Sequence, residues 1–279
     1  WERSNLGEAR CDLSTTSLGS KAFFVGGLVS GRIERSTVVD IYDANTNTWT
    51  VRHLSEGRHK LAAIALGTKV FFAGGNTSSS SLTSTVDIYD IVTNKWTIAH
   101  LSEERGALAA AATKTKVVFA GGYAVATVDI YDITTNTWST AQLSEERRNL
   151  VGSASGDKVI FAGGRPNFSS RSSTVDIYDA KTNTWSTAQL SEEKSDLAAA
   201  SHGDKILIAG SGTDVVDVFD AKTNSWSTTR LALGRSSLAG ASTGKTLLFG
   251  GGWPRETSAT VDIFNLVFCD DPGTPWKMR

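Results

Sequence analysis

The side chains best suited to recognise or transform a ligand stand where six repeated copies of one segment differ from each other. Near the start of each copy a basic residue is followed by Cys11-Asp12, His59-Lys60, Gly106-Ala107, Arg148-Asn149, Ser195-Asp196 or Ser236-Ser237. In the middle, a glycine pair is followed by Leu28, Asn76, Tyr123, Arg165, Gly212 to Asp214, or Trp253 with Arg255. A residue present in every copy serves the architecture, whereas one that changes between copies is free to specialise. Arginine grips a carboxylate or phosphate bidentately and an aromatic ring supplies an apolar wall. The candidate ligand-binding set is therefore His59, Lys60, Tyr123, Arg148, Arg165, Asp196, Trp253 and Arg255. For catalysis, His59, Asp12 and Asp196 are the candidate general bases, with Arg148 or Arg165 stabilising an anionic intermediate.

The elements that must position these residues follow from the shared part of the repeat. Apolar runs end in Gly-Gly or nearly so: Lys21 to Gly27, Lys69 to Gly75, Lys116 to Gly122, Lys158 to Gly164, Lys205 to Ser211 and Lys245 to Gly251. In the copy spanning residues 56 to 97, Leu61-Ala-Ala-Ile-Ala-Leu66, the turn Gly67-Thr-Lys and Val70-Phe-Phe-Ala73 read as a hairpin of two buried strands. A polar loop leads to Thr85-Val-Asp-Ile-Tyr-Asp90, whose alternation marks a third strand, and a turn with Asn94 leads to a fourth at Trp96. Four antiparallel strands per copy, repeated six times, predict an all-β, six-bladed β-propeller.

Gly-Gly after a buried strand, then Tyr-Asp, then Trp several residues on, resembles the kelch repeat over nearly the whole chain. The resemblance implies blades whose first strand lines a central channel and whose fourth lies outermost, with residues 1–279 forming a single propeller domain. It places the variable positions at the channel mouth, where kelch propellers commonly bind ligands. The expected partner is an acidic peptide, a carbohydrate or a small anionic molecule, bound by a propeller acting alone as a monomer. A cofactor-independent enzyme at the same mouth is the alternative, and a structural or adhesive surface protein a third. The Glu-x-x-x-Asp-x-x-x-His iron motif of some kelch proteins is missing, and four histidines at His53, His59, His100 and His202 form no metal triad by spacing, so neither metal nor cofactor is expected.

Composition agrees with an ordinary globular chain of 279 residues, 40% hydrophobic and 20% charged. A formal net charge of -1 gives no global attraction to nucleic acid or anionic membrane, and no apolar run approaches the length of a membrane-spanning helix. Two cysteines, Cys11 and Cys269, are too few for a disulfide framework and read as free thiols. The sequons Asn76-Thr-Ser and Asn167-Phe-Ser leave the compartment open and lean towards secretion.

Three regular features read as architecture. Arg10, Arg58, Arg105, Arg147, Lys194 and Arg235 precede the first strands, five of them with Glu two places earlier, and suggest structural ion pairs and bonds to loop carbonyls. Lys21 and its equivalents, opening the second strands, suggest a solvated face. The sixth copy lacks Asn-x-Trp after Thr260 to Phe264, while Trp1 precedes Gly27 by the interval that separates Trp49 from Gly75. Residues 1 to about 6 are therefore expected to complete the last blade, with Trp276 as the alternative source of that strand. Deleting residues 1–6 should lower the melting temperature sharply; an unchanged midpoint in a thermal scan would discard closure by this segment.

Overall fold

The computed structural model describes residues 4–29, 34–243, 245–253 and 258–265. All regular elements among them are β-strands in antiparallel pairs. No helix among the described residues is long and apolar enough to cross a membrane. The chain divides into two compact units, residues 1–148 and 149–279.

The first unit holds three four-stranded sheets in sequence order. They are β2 (Ser14–Leu18), β3 (Lys21–Val25), β6 (Val38–Asp43) and β7 (Thr48–His53); β8 (Ala62–Leu66), β9 (Lys69–Ala73), β10 (Thr85–Asp90) and β11 (Lys95–His100); and β12 (Ala109–Ala112), β13 (Lys116–Ala120), β14 (Thr127–Asp132) and β15 (Thr137–Gln142). A small sheet of β1 (Arg10–Cys11), β4 (Leu28–Val29) and β5 (Glu34–Arg35) is particular to the first copy. The second unit contains β16 (Val151–Ser155), β17 (Lys158–Ala162), β18 (Ser172–Asp179) and β19 (Thr184–Lys194), then β20 (Leu197–His202), β21 (Lys205–Gly210), β22 (Val215–Asp220) and β23 (Ser225–Arg230). Its last sheet, β24 (Ala239–Thr243), β25 (Thr246–Gly250) and β26 (Val261–Asn265), has three strands among the described residues. Residues 1–3 and 266–279, with Trp1, Cys269 and Trp276, lie outside the described residues.

Alternation in the third strands does not separate an inner from an outer face. Val86, Asp87, Ile88 and Tyr89 of β10 are all buried, because neighbouring sheets pack face to face. Tyr131 shows how. Its ring lies 5.1 Å from Trp138 on its own sheet and 5.3 Å from Phe71 on the preceding one, while its hydroxyl donates to Asn136 Oδ1 at 2.7 Å. Tyr42, Tyr89 and Tyr178 bond Asn47, Asn94 and Asn183 in the same way. Each of these asparagines has a positive φ, between 54° and 57°, a conformation Asn tolerates better than most residues. The tyrosines thus reach into the space between sheets, while the tryptophans lie further out; Trp49 is 36% exposed.

The buried aspartate explains the basic residue of each repeat. The Arg58 side chain is fully buried; Nη2 bonds Asp87, and Nη1 donates to the carbonyls of Gly74 at 3.0 Å and Thr85 at 2.7 Å. Asp87 also accepts the amide and hydroxyl of Ser55, both at 3.1 Å. Equivalent pairs join Arg10 to Asp40, Arg105 to Asp129, Lys194 to Asp217 and Arg235 to Asp262. The bonds to loop carbonyls match expectation, but the main carboxylate partner is this distant aspartate. The nearby glutamates stand at 3.6 Å from Arg147 and 3.5 Å from Lys194. Glu8 and Glu56 instead take hydroxyl bonds from Ser36 and Thr83.

The lysines of the second strands are likewise paired rather than simply solvated. Lys21, Lys69, Lys116, Lys158 and Lys205 bond the aspartate that ends the third strand of their own sheet, Asp43, Asp90, Asp132, Asp179 and Asp220. The Lys21 bond, with those from Ser20 and the Asn45 amide, holds the Asp43 carboxyl at about 2.

Glycine pairs exist because another backbone lies against them. The Gly75 amide donates to the Arg105 carbonyl at 2.9 Å, and a Cβ on Gly74 would stand 2.4 Å from that same oxygen. Gly26-Gly27 meets Arg58 in the same manner. Arg58 and Arg105 therefore tie their own sheet with the side chain and the preceding sheet with the carbonyl. Replacing Asp87 by Ala strands a buried guanidinium and should cost about 3–5 kcal/mol in urea denaturation. A loss under about 1 kcal/mol, the size of an exposed pair, would show that the pair does not bear on stability.

Candidate functional site

The variable positions are set by a backbone turn that is strained in every repeat. Two residues after the basic one, Asp12, Lys60, Ala107, Asn149, Asp196 and Ser237 all adopt φ between 52° and 56°. For a side chain with a Cβ this conformation costs on the order of 1–2 kcal/mol. It persists because adjacent turns bond in series. The Ala107 amide donates to the Lys60 carbonyl at 2.9 Å in the first unit, and the Ser237 amide to the Asp196 carbonyl at 3.2 Å in the second. No metal-binding group of three or more His, Cys, Asp or Glu occurs among the described residues.

In the first unit, Lys60 and Arg148 come together on the ring of Tyr123. The exposed Lys60 ammonium donates to the Tyr123 hydroxyl at 3.1 Å and lies 5.8 Å from the ring centroid. The Arg148 guanidinium carbon stands 5.2 Å from the same centroid, within range of a cation–π interaction. Tyr123 follows Gly122, and its amide donates to the Gly106 carbonyl at 3.2 Å, which anchors the ring beside the turn of the preceding sheet. Among the described residues the Lys60 ammonium has no carboxylate partner. Two cations on one half-buried phenol present a positively charged, partly apolar surface suited to an anionic group.

His59 sits beneath this surface rather than on it, at 7% exposure. Its backbone forms an antiparallel bridge with Asn76, and ring Nδ1 lies 3.2 Å from the Asn76 carbonyl oxygen. A carbonyl only accepts, so Nδ1 carries the proton and Nε2 keeps its lone pair. Burial is the main cause that lowers the imidazole pKa below 6.5; the charges of Arg35 and Lys60 lower it further, and the Asn76 bond and Asp12 oppose them.

In the second unit, the Asp196 carboxylate gathers donors. Oδ2 accepts Arg165 Nη2 at 3.1 Å and Ser195 Oγ at 3.0 Å, and Oδ1 lies 3.5 Å from Asn149 Nδ2. Arg165 is thus tied to a carboxylate of its own unit. Trp253 is 59% exposed, and Ser236 bridges to its backbone; Arg255 lies outside the described residues. His53 and His100 end β7 and β11 on the outer strands, where they meet Thr37 and Ser84.

The roles of Asn76, Arg35 and Ser195 were not legible from the chain. Asn76 orients His59 through its carbonyl, a group every residue has, and Arg35 comes from a hairpin outside the shared repeat. A nitrogen-resolved NMR titration should find His59 as the Nδ1–H tautomer with a pKa below 6.5. Because the folded value is depressed, protonation favours the unfolded chain, and stability falls as pH drops from 6.5 through the folded pKa. A His59 pKa at or above 6.5 would overturn this placement of the ring.

Comparison with known proteins agrees with this architecture. No curated protein matches the chain. Among solved structures it is similar to YjhT, with a TM-score of 0.68 and 15% sequence identity over 92% of this chain and 95% of that one; likeness at that identity concerns the fold. The model of the KLHDC2/KLHL20/DRC7 Kelch-repeats domain matches residues 12–211 and again 58–252. Since these matches together span most of the chain, the chain belongs to the kelch-repeat family.

Proposed function

We propose that this kelch domain is a binding module that takes a carboxylate- or phosphate-bearing partner, an acidic peptide or a small anionic molecule, on the surface formed by Lys60, Tyr123 and Arg148. The observation that carries the reading is the convergence of an ammonium and a guanidinium on one half-buried tyrosine. The strained turn at Lys60 adds to it, since it fixes the direction from which that side chain leaves the backbone. An enzymatic reading asks more of the acid–base candidates. His59 is 7% exposed, and one oxygen of Asp196 already receives a hydroxyl and a guanidinium. The binding reading needs only the two cations and the ring.

The same reading treats the six repeats as six blades of one propeller, completed by residues 1–6. One observation within the first unit supports it: the Gly7 amide bonds Asp40 at 2.9 Å as the Ser55 amide bonds Asp87, so Leu6-Gly7 follows the register of Leu54-Ser55.

Binding is tested by fluorescence anisotropy with a labelled oligoglutamate peptide at low salt. Lys60→Glu and Arg148→Glu should each weaken it about 10-fold or more, the worth of a charge-assisted contact, while His59→Ala changes it about threefold or less. Equal affinity in both charge reversals would overturn the assignment. Arg165→Glu, in the second unit, serves as the control and should change the affinity about threefold or less.

A further inference from the structure

The two sequons, read as equally accessible loops in the sequence, have opposite environments. Asn76 is 9% exposed, and its amide and carbonyl are both used in the bridge to His59. Its Oδ1 is buried, and a Cβ on Gly106 would stand 2.2 Å from it. No sugar fits on a side chain packed this closely. Asn167 lies in the exposed loop between β17 and β18, beside Phe168 at 84% exposure, so this loop stands clear of the sheet.

The Asn167 side chain is also held in a defined orientation. Its Oδ1 accepts the Ser169 amide at 3.0 Å, the Ser169 hydroxyl at 3.0 Å and the Ser170 amide at 2.8 Å. All bonds of the carboxamide therefore fall on its oxygen; among the described residues Nδ2 has no partner, and in this exposed loop it is left to solvent. The hydroxyl engaged with the oxygen is that of Ser169, the third residue of the sequon, so the two side chains that define the triplet are already in contact.

We infer that Asn167, and not Asn76, is an acceptor for N-linked oligosaccharide when the chain passes through a secretory pathway. The co-reactant is a lipid-linked oligosaccharyl pyrophosphate, brought by a transferase. Nδ2 attacks the anomeric carbon, a C–N bond forms, and the bond from that carbon to the pyrophosphate oxygen breaks. The lipid pyrophosphate leaves with the electron pair, and the proton lost by the amide nitrogen is taken up by that leaving pyrophosphate.

The test is to express the full chain behind a cleavable leader in a secreting eukaryotic cell and map both asparagines by mass spectrometry before and after peptide N-glycosidase digestion. The expected result is one glycan at Asn167, abolished by Asn167→Gln and by Ser169→Ala, with Asn76 unmodified in the secreted folded protein. A bare Asn167, or a sugar on Asn76 of that protein, overturns the inference. The map of the unsubstituted chain decides the matter without needing any variant to fold.

Discussion

A guanidinium withdrawn from water costs several kcal/mol unless nearly all its donors are met, and within each unit the repeats are organised around meeting that demand. Arg58 does so with an aspartate from the third strand and carbonyls at the ends of the second and third. Three stretches of chain that are distant in sequence must therefore end at one point. The serine that also bonds Asp87 fixes where the preceding fourth strand stops, and the glycine pair is demanded because the carbonyl of the next basic residue lies against it. Lys194 fills the role in one repeat with three donors instead of five, and there the second glycine is replaced by Ser211, held at a φ of 67°.

The variable residues inherit their geometry from this point. They begin immediately after the buried cation, on a turn whose carbonyls and amides bond from one repeat to the next. A side chain there is projected by a backbone that the rest of the sheet over-determines. This is why Lys60 can hold a left-handed conformation unfavourable to lysine, and why it meets Tyr123 across a sequence gap of 63 residues. Pre-organisation of this kind lowers the entropy lost when a partner binds.

Strand order, the glycine pairs and the tyrosine–tryptophan register were legible because each is a local pattern that recurs in most of the six copies. Pairing of Arg58 with Asp87 was less so. The two stand 29 positions apart, and the glutamate two places before the arginine offered a nearer candidate by sequence. The aspartate hid inside Val-Asp-Ile-Tyr-Asp, where alternation marks a strand without saying which face is covered; the packing of one sheet against another buries both faces. His59 and Asn76 were harder still. Whether a histidine beside a strained turn faces solvent depends on the backbone of another loop, and no property of either residue announces that bridge. Lys60, Tyr123 and Arg148, by contrast, were singled out by asking which positions the repeat leaves free, and the structure brings their side chains together.

Because a basic residue such as Arg58 or Arg105 belongs to its own sheet through the side chain and to the previous sheet through the carbonyl, the sequence period and the mechanical joints are out of phase. Opening the chain near a glycine pair would break both attachments at once. The turn from Asp90 to Asn94 is different, since Asp90 caps the Val92 and Thr93 amides and Ile91 bonds back to Thr68 within one sheet. A cut in this turn would leave the bonds of Gly27 and Gly75 to the Arg58 and Arg105 carbonyls intact. Gain or loss of a repeat during evolution would be least disruptive with its crossovers at the same places.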